Sequence, residues 1–195
     1  MWNHNIHYHQ LILRSMPHGC GVALDVGCGQ GLLVRALARH SEQVVGIDID
    51  RETLALAGEC GASDPRIRFV EGDVMTFPFP AGSFDFITAV AALHHLPLSG
   101  ALARFRYLLK PGGRLAVVGL YRIRTPLDYA FSAAALPVSW TLGVLRGHAE
   151  VGAPVQDPRE TLAEIRNAFK ECLPGAVVRR HLLFRYSAVW RNGPE

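Results

Sequence analysis

A short apolar stretch running into three glycines at alternate positions, Leu24-Asp25-Val26-Gly27-Cys28-Gly29-Gln30-Gly31, constrains this chain more than any other feature. The glycines open directly into a helical pattern, Leu32-Leu33-Val34-Arg35-Ala36-Leu37-Ala38. Glycine lets the backbone turn sharply and lets a ligand come within van der Waals contact of the main chain. The helix that follows points its free N–H groups at whatever sits in the turn. A strand, a glycine turn and a helix in this order form a nucleotide-cofactor loop.

The rest of the chain repeats the strand-then-helix alternation. Strands are expected at 22–26, 43–48, 67–71, 84–89 and 114–119, and helices at 32–39, 51–58 and 98–109. Such β-α units predict an α/β fold with a mainly parallel sheet and helices on both faces. The chain end reads differently. Asp157 is a plausible N-cap and Pro158 suits a first turn, so a helix is expected over 158–172, stopped by Pro174-Gly175. Two strands at 177–181 and 186–191 then suggest an antiparallel hairpin, and 9–14 suggests a short N-terminal helix. Without internal repeats or a low-complexity linker, residues 1–195 are expected to form one domain.

Composition enters as a set of exclusions. A formal net charge of +3 is too mild to imply nucleic acid or an acidic membrane as partner. Cys20, Cys28, Cys60 and Cys172 form no C-x-x-C pair and read as reduced thiols of a cytoplasmic protein. The polar, histidine-rich start does not resemble a signal peptide. Residues 127–145 are mostly apolar and near spanning length, but Asp128, Pro137, Ser139 and Gly143 interrupt them. A buried or substrate-covering segment is expected there rather than a membrane span.

The glycines alone leave the nucleotide open. A P-loop needs Gly-Lys-Ser/Thr, whereas Leu32-Leu33 follows Gly31. A dinucleotide fingerprint needs a small residue where Leu32 stands, which counts against NAD without excluding it. The next strand, Val44-Val45-Gly46-Ile47-Asp48, ends in a carboxylate at about the 20-residue spacing at which a ribose diol is held. The competing reading of Asp48 is a solvated strand-end residue.

Asp25-x-Gly27-x-Gly29-x-Gly31 with Gly46-Ile47-Asp48 resembles the class I S-adenosylmethionine-dependent methyltransferases. Gly72-Asp73-Val74-Met75-Thr76-Phe77-Pro78-Phe79 and Gly82-Ser83-Phe84-Asp85 match that family's later landmarks. Leu93-His94-His95-Leu96 and Leu109-Lys110-Pro111-Gly112-Gly113-Arg114-Leu115 are similar to its small-molecule branch, the methyltransferase type 11 group that includes ubiquinone-biosynthesis C-methyltransferases. The matches run in order from about residue 22 to 120. The resemblance implies a Rossmann-like, doubly wound, mainly parallel seven-stranded sheet with an antiparallel C-terminal hairpin.

It also implies roles. Gly27, Gly29 and Gly31 would line the methionine part of S-adenosylmethionine, where a side chain would collide with the ligand. Asp25 would anchor the loop or the cofactor's amino group. Asp48 would hold the ribose hydroxyls, with Ile49 packing on the adenine. Asp73 would accept from the adenine amine, and the Val74 N–H would meet a ring nitrogen. Ala89 and Val90 would offer carbonyls to the cofactor's ammonium group. Lys110-Pro111-Gly112-Gly113 reads as a tight structural turn.

Methyl transfer needs alignment of donor and acceptor, and a general base only where the acceptor must lose a proton. His94 and His95, just past the fourth strand, are the candidates for that base or for positioning the acceptor. Residues 1–18 are expected to act as a lid, with Tyr8 and His9 closing over the cofactor. His4, His7 and His9 lack partners for a metal, so none is expected. Residues 121–155 fall where relatives insert substrate-covering helices. Tyr121, Tyr129, Phe131, Leu136, Trp140 and Leu142 point to an apolar or aromatic small-molecule acceptor, or equally to a homodimer contact. The alternatives are a non-catalytic S-adenosylmethionine-binding protein or partner subunit, and a nucleic-acid methyltransferase. The last is disfavoured by dispersed arginines and by Ala89-Val90-Ala91-Ala92-Leu93, which is not the Asn/Asp-Pro-Pro-aromatic motif of amino-group base methylation.

Overall fold

The computed structural model describes residues 8–61, 64–124, 158–181 and 185–193. Its elements, in chain order, are α1 (His9–Ser15), β1 (Cys20–Val26), α2 (Leu32–Leu37), β2 (Ser41–Asp48), α3 (Arg51–Gly61) and β3 (Ile67–Glu71). Then come β4 (Phe84–Val90), a 3-10 turn (Leu93–His95), α4 (Leu98–Leu108), β5 (Leu109–Leu120), α5 (Leu162–Cys172), β6 (Val177–His181) and β7 (Arg185–Arg191). The strands form one seven-stranded sheet in the order β3-β2-β1-β4-β5-β7-β6. All pairs among β1 to β5 are parallel, while β7 runs antiparallel to both β5 and β6. This is the doubly wound arrangement, with the expected hairpin at its end.

Alternation along the strands builds two cores. Leu24, Val26, Ile87, Ala89, Leu115 and Val117 face α4 and α5, against Leu102, Phe105, Ile165 and Phe169. Ala23, Phe86, Ala116 and Val118 face the other way, against Ile12 of α1, Leu33, Val34 and Leu37 of α2, and Leu54 of α3. Burying each such Leu, Ile or Phe contributes about 1.5–3 kcal/mol. The strand order reverses between β1 and β4, and the crevice outside their carboxyl ends is where open α/β sheets take ligands.

Two local expectations need correction. The Lys110-Pro111-Gly112-Gly113 stretch is not a free turn but a bulge inside β5. Phe84 pairs with Leu109 and Phe86 with Arg114, so residues 110–113 stand opposite Asp85 alone. Asn192 closes the bulge: its side-chain amide donates to the Leu109 and Lys110 carbonyls, and its N–H to the Gly113 carbonyl at 2.8 Å. The last helix begins at Leu162, capped by Thr161 rather than by Asp157, which lies outside the described residues. Thr161 Oγ1 accepts from the Glu164 N–H at 3.3 Å, and Glu164 Oε2 accepts from the Thr161 N–H at 2.7 Å. This reciprocal capping box outcompetes the proline upstream.

Candidate cofactor and acceptor site

The glycine turn is tied to β2 at three points. Gly27 and Cys28 both donate to the Ile47 carbonyl, at 2.9 and 3.2 Å, and Gly29 donates to Asp48 Oδ2 at 2.8 Å. All three glycines have left-handed backbones, with φ of 67°, 50° and 71° at Gly27, Gly29 and Gly31. A Cβ on Gly27 would stand 2.6 Å from that of Ala92, and one on Gly31 2.6 Å from the Phe69 ring. At Gly29 the nearest atom would be 3.9 Å away. Gly27 and Gly31 are therefore required by the protein's own packing, and only Gly29 leaves open space above its Cα.

Asp48 does more locally than the sequence suggests. Besides the Gly29 N–H, it takes the Asp50 N–H on Oδ1 at 3.1 Å. A carboxylate offers about four acceptor directions, so capacity for two further donors is left. Ile49, next along, is 76% exposed, a large apolar side chain without cover on the same rim.

Asp25 sits one strand deeper and is only 3% exposed. No donor among the described residues bonds its carboxyl. Burial, and then the neighbouring Asp48 charge, hold that carboxyl well above the usual carboxylate range. In register beside it are Gly46 on β2 and Thr88 on β4. Thr88 is fully buried and its hydroxyl also lacks a partner among the described residues. An orphaned carboxyl beside an orphaned hydroxyl costs stability unless a cationic group meets them. The ammonium of a bound amino acid moiety, a donor of three N–H groups, fits that pair of acceptors.

The turn after β3 presents Asp73. Its Oδ1 accepts from the Met75 N–H at 2.9 Å, and its carbonyl accepts from the Thr76 and Phe77 N–H groups at 3.1 and 2.7 Å. Gly72 donates to the Asp48 carbonyl at 2.9 Å, joining this turn to the end of β2. Val74 is buried, and its N–H meets no acceptor among the described residues. Asp73 Oδ2 and the Val74 N–H thus form an adjacent acceptor and donor, the pattern of an adenine edge.

Ala89 and Val90 end β4 beside the glycine turn, with Ala89 in register with Val26. The next residue, Ala91, has φ of 53°, a conformation unusual for a residue with a Cβ. Its N–H is held by the Val118 carbonyl at 2.7 Å, and Ala92 then packs against Gly27. Sequence reading missed this strained residue, because nothing in an alanine advertises it.

Past it, His94 is partly buried and His95 exposed, with ring centroids 4.0 Å apart. His94 Nδ1 is buried and has no hydrogen-bond partner among the described residues. Burial, then the positive charges of His95 and Arg185, lower the His94 pKa to about 4, so its ring is neutral at pH 7. Arg185, at the β7 end and missed in the sequence, also acts on Tyr8. Tyr8 is buried at the start of α1, its ring 5.5 Å from that of His181. The His181 ring nitrogen in turn bonds Ser187 Oγ at 2.6 Å. Burial lowers the adjacent His9 to about 4. The structure thus brings Tyr8 and His94 to the charge of Arg185. Residues 1–7 and 125–157, which include His4, His7 and most of the expected covering segment, lie outside the described residues. No described helix is long and apolar enough to cross a membrane.

A family model described as "Methyltransferase domain" matches residues 24–117. An uncharacterized methyltransferase of Mycobacterium tuberculosis is 39% identical over 194 residues, covering 97% of this chain and 96% of the relative. A ubiquinone biosynthesis O-methyltransferase of Xanthomonas axonopodis is 37% identical, covering 80% of this chain and 64% of the relative. Among solved structures, a SAM-dependent methyltransferase of Methanosarcina mazei shares the fold, with a TM-score of 0.65 at 21% identity over 95% of this chain and 98% of that one. The chain belongs to the methyltransferase family, and its fold is that of an S-adenosylmethionine-dependent methyltransferase.

Proposed function

We propose that this chain methylates a small-molecule acceptor with an apolar or aromatic body. The observation that carries the proposal is a buried Asp25 carboxyl on β1 with no donor among the described residues, together with a neutral His94 just past β4 whose Nδ1 has no partner among them. The first suits the cofactor's ammonium; the second suits an acceptor's hydroxyl. The O-methyltransferase relative, named for ubiquinone biosynthesis, supports an acceptor of this kind. Residues 1–195 act as one domain, with 1–18 as a lid and 121–155 covering the acceptor. Free Cys20, Cys28 and Cys172 support a reducing, cytoplasmic setting.

In this reading Gly27, Gly29 and Gly31 form the bed of the methionine chain, and the Ala89 and Val90 carbonyls share its ammonium with Asp25. Asp48 takes the ribose hydroxyls, Ile49 covers the adenine, and Asp73 with the Val74 N–H reads its edge. The cofactor supplies an electrophilic methyl group on a sulfonium. Tyr8 and His9 close over the site and exclude water, while His94 and His95 align the acceptor. For a hydroxyl acceptor, the bound cofactor would supply the methyl group, and His94 Nδ1 would take the proton that the hydroxyl gives up. Because Arg185 and His95 disfavour an imidazolium there, His94 hands the proton on to solvent.

The test is thermal denaturation with S-adenosylmethionine, S-adenosylhomocysteine and NAD in parallel, then a screen of catechols, hydroquinones and aliphatic acceptors for S-adenosylhomocysteine release. Ligand at 100 times its dissociation constant should add about 2.7 kcal/mol. Stabilisation by NAD alone would end the proposal, as would turnover confined to nucleic acid.

A further inference from the structure

The turn that presents Asp73 is held from outside by a residue that no sequence motif points to. Arg104, on α4, donates from Nε to the Val74 carbonyl at 3.1 Å and from Nη2 to the Phe77 carbonyl at 2.5 Å. Its guanidinium lies 5.3 Å from the Tyr107 ring, which backs it from the solvent side. Ala101, Leu102, Phe105 and Leu108 bury the core-facing side of α4, and Arg104 stands at the edge of that face.

The Val74 carbonyl and the Met75 N–H belong to one peptide group, which is planar and rigid. Arg104 grips its oxygen, and its N–H points to Asp73 Oδ1 at 2.9 Å. The orientation of that single plane therefore sets the direction of the Asp73 carboxylate. The second grip, on Phe77, fixes the far end of a turn whose own N–H groups close onto the Asp73 carbonyl. A planar fork holds two carbonyls at once, and a lysine ammonium at the same place lacks that geometry.

We infer that Arg104 is a positioning residue for base recognition: through the 74–75 peptide it aims the Asp73 carboxylate at the adenine amine. The inference rests on the reading of Asp73 as the adenine contact. The chemical discriminator is inosine, which replaces the amine with a carbonyl oxygen and turns the ring nitrogen into a donor. Both changes oppose Asp73 and the Val74 N–H.

The experiment is titration calorimetry of wild type, Arg104→Lys and Arg104→Gln with S-adenosylhomocysteine and S-inosylhomocysteine. Wild type should prefer the adenosyl compound by at least about tenfold. Arg104→Gln should weaken the adenosyl compound by about tenfold and leave the inosyl compound within about twofold, so that the preference collapses. Arg104→Lys should fall between. A global structural effect would weaken both compounds by one factor and would overturn the proposal, as would an unchanged preference in Arg104→Gln. A wild type without preference would refute Asp73 as the base contact and the proposal with it. Amide exchange at Met75 gives a ligand-free readout: unchanged exchange in Arg104→Gln refutes the grip itself.

Discussion

Replacing Asp25 by Asn should move stability and cofactor affinity in opposite directions. The wild-type carboxyl is 3% exposed, has no donor among the described residues and lies within reach of the Asp48 charge. A buried polar group left unsatisfied costs about 1–3 kcal/mol, and more when charged. Asparagine keeps the shape, removes the charge and can donate, so the ligand-free protein should gain about 1–3 kcal/mol at pH 7. For a chain of this length that is about 2–4 °C in Tm per kcal/mol. The ammonium contact should weaken, because hydrogen bonds to charged partners exceed neutral ones by about 1–1.5 kcal/mol. S-adenosylhomocysteine should then bind about tenfold more weakly. The pH dependence carries its own sign. The folded state raises the Asp25 pKa and so binds its proton more tightly than the unfolded chain. Wild-type stability should fall as pH rises from about 3.9, the unfolded value, up through the raised folded one, and Asp25→Asn should lack that slope. Denaturant unfolding between pH 4 and 8, with calorimetry at pH 7, reads both effects. A destabilised variant with unchanged affinity would show that Asp25 merely holds the turn.

Two further pairs of substitutions test the neighbouring parts. His94→Gln should lower kcat for a hydroxyl acceptor while leaving S-adenosylhomocysteine affinity within about twofold, and His95→Ala should do less, since that ring is exposed. With the His94 pKa near 4, the wild-type rate should show no histidine step between pH 6 and 8; equal kcat in His94→Gln and wild type would remove the base role. Gly31→Ala combines a left-handed φ with a Cβ 2.6 Å from the Phe69 ring and should cost about 2–4 kcal/mol, whereas Gly29→Ala, with open space, should cost about 1 kcal/mol. Chemical denaturation ranks them, and a reversed order would contradict the packing account.

The sequence by itself determined the parts of this protein whose cause is local. Alternating apolar residues specified the strands, and all seven were placed, because strand period and turn chemistry act over a few residues. The glycine spacing fixed the left-handed turn after β1 that Asp48 ties to β2, since such a turn after a strand demands glycine whatever surrounds it. The capping box at Thr161 and Glu164 is equally local, a Thr-x-x-Glu spacing three residues beyond Pro158. The tertiary structure decided what depends on distant chain segments meeting. The Lys110-Pro111-Gly112-Gly113 bulge needs Asn192 to close it, and Asp25 becomes an orphan only when Thr88 and Gly46 flank it. Arg185 reaches Tyr8 and His94 only because β7 returns beside β5, and Arg104 reaches Val74 only because α4 packs under the turn after β3. Local propensity writes the elements; the charges and grips that tune the site arise from long-range packing, which no window of sequence contains.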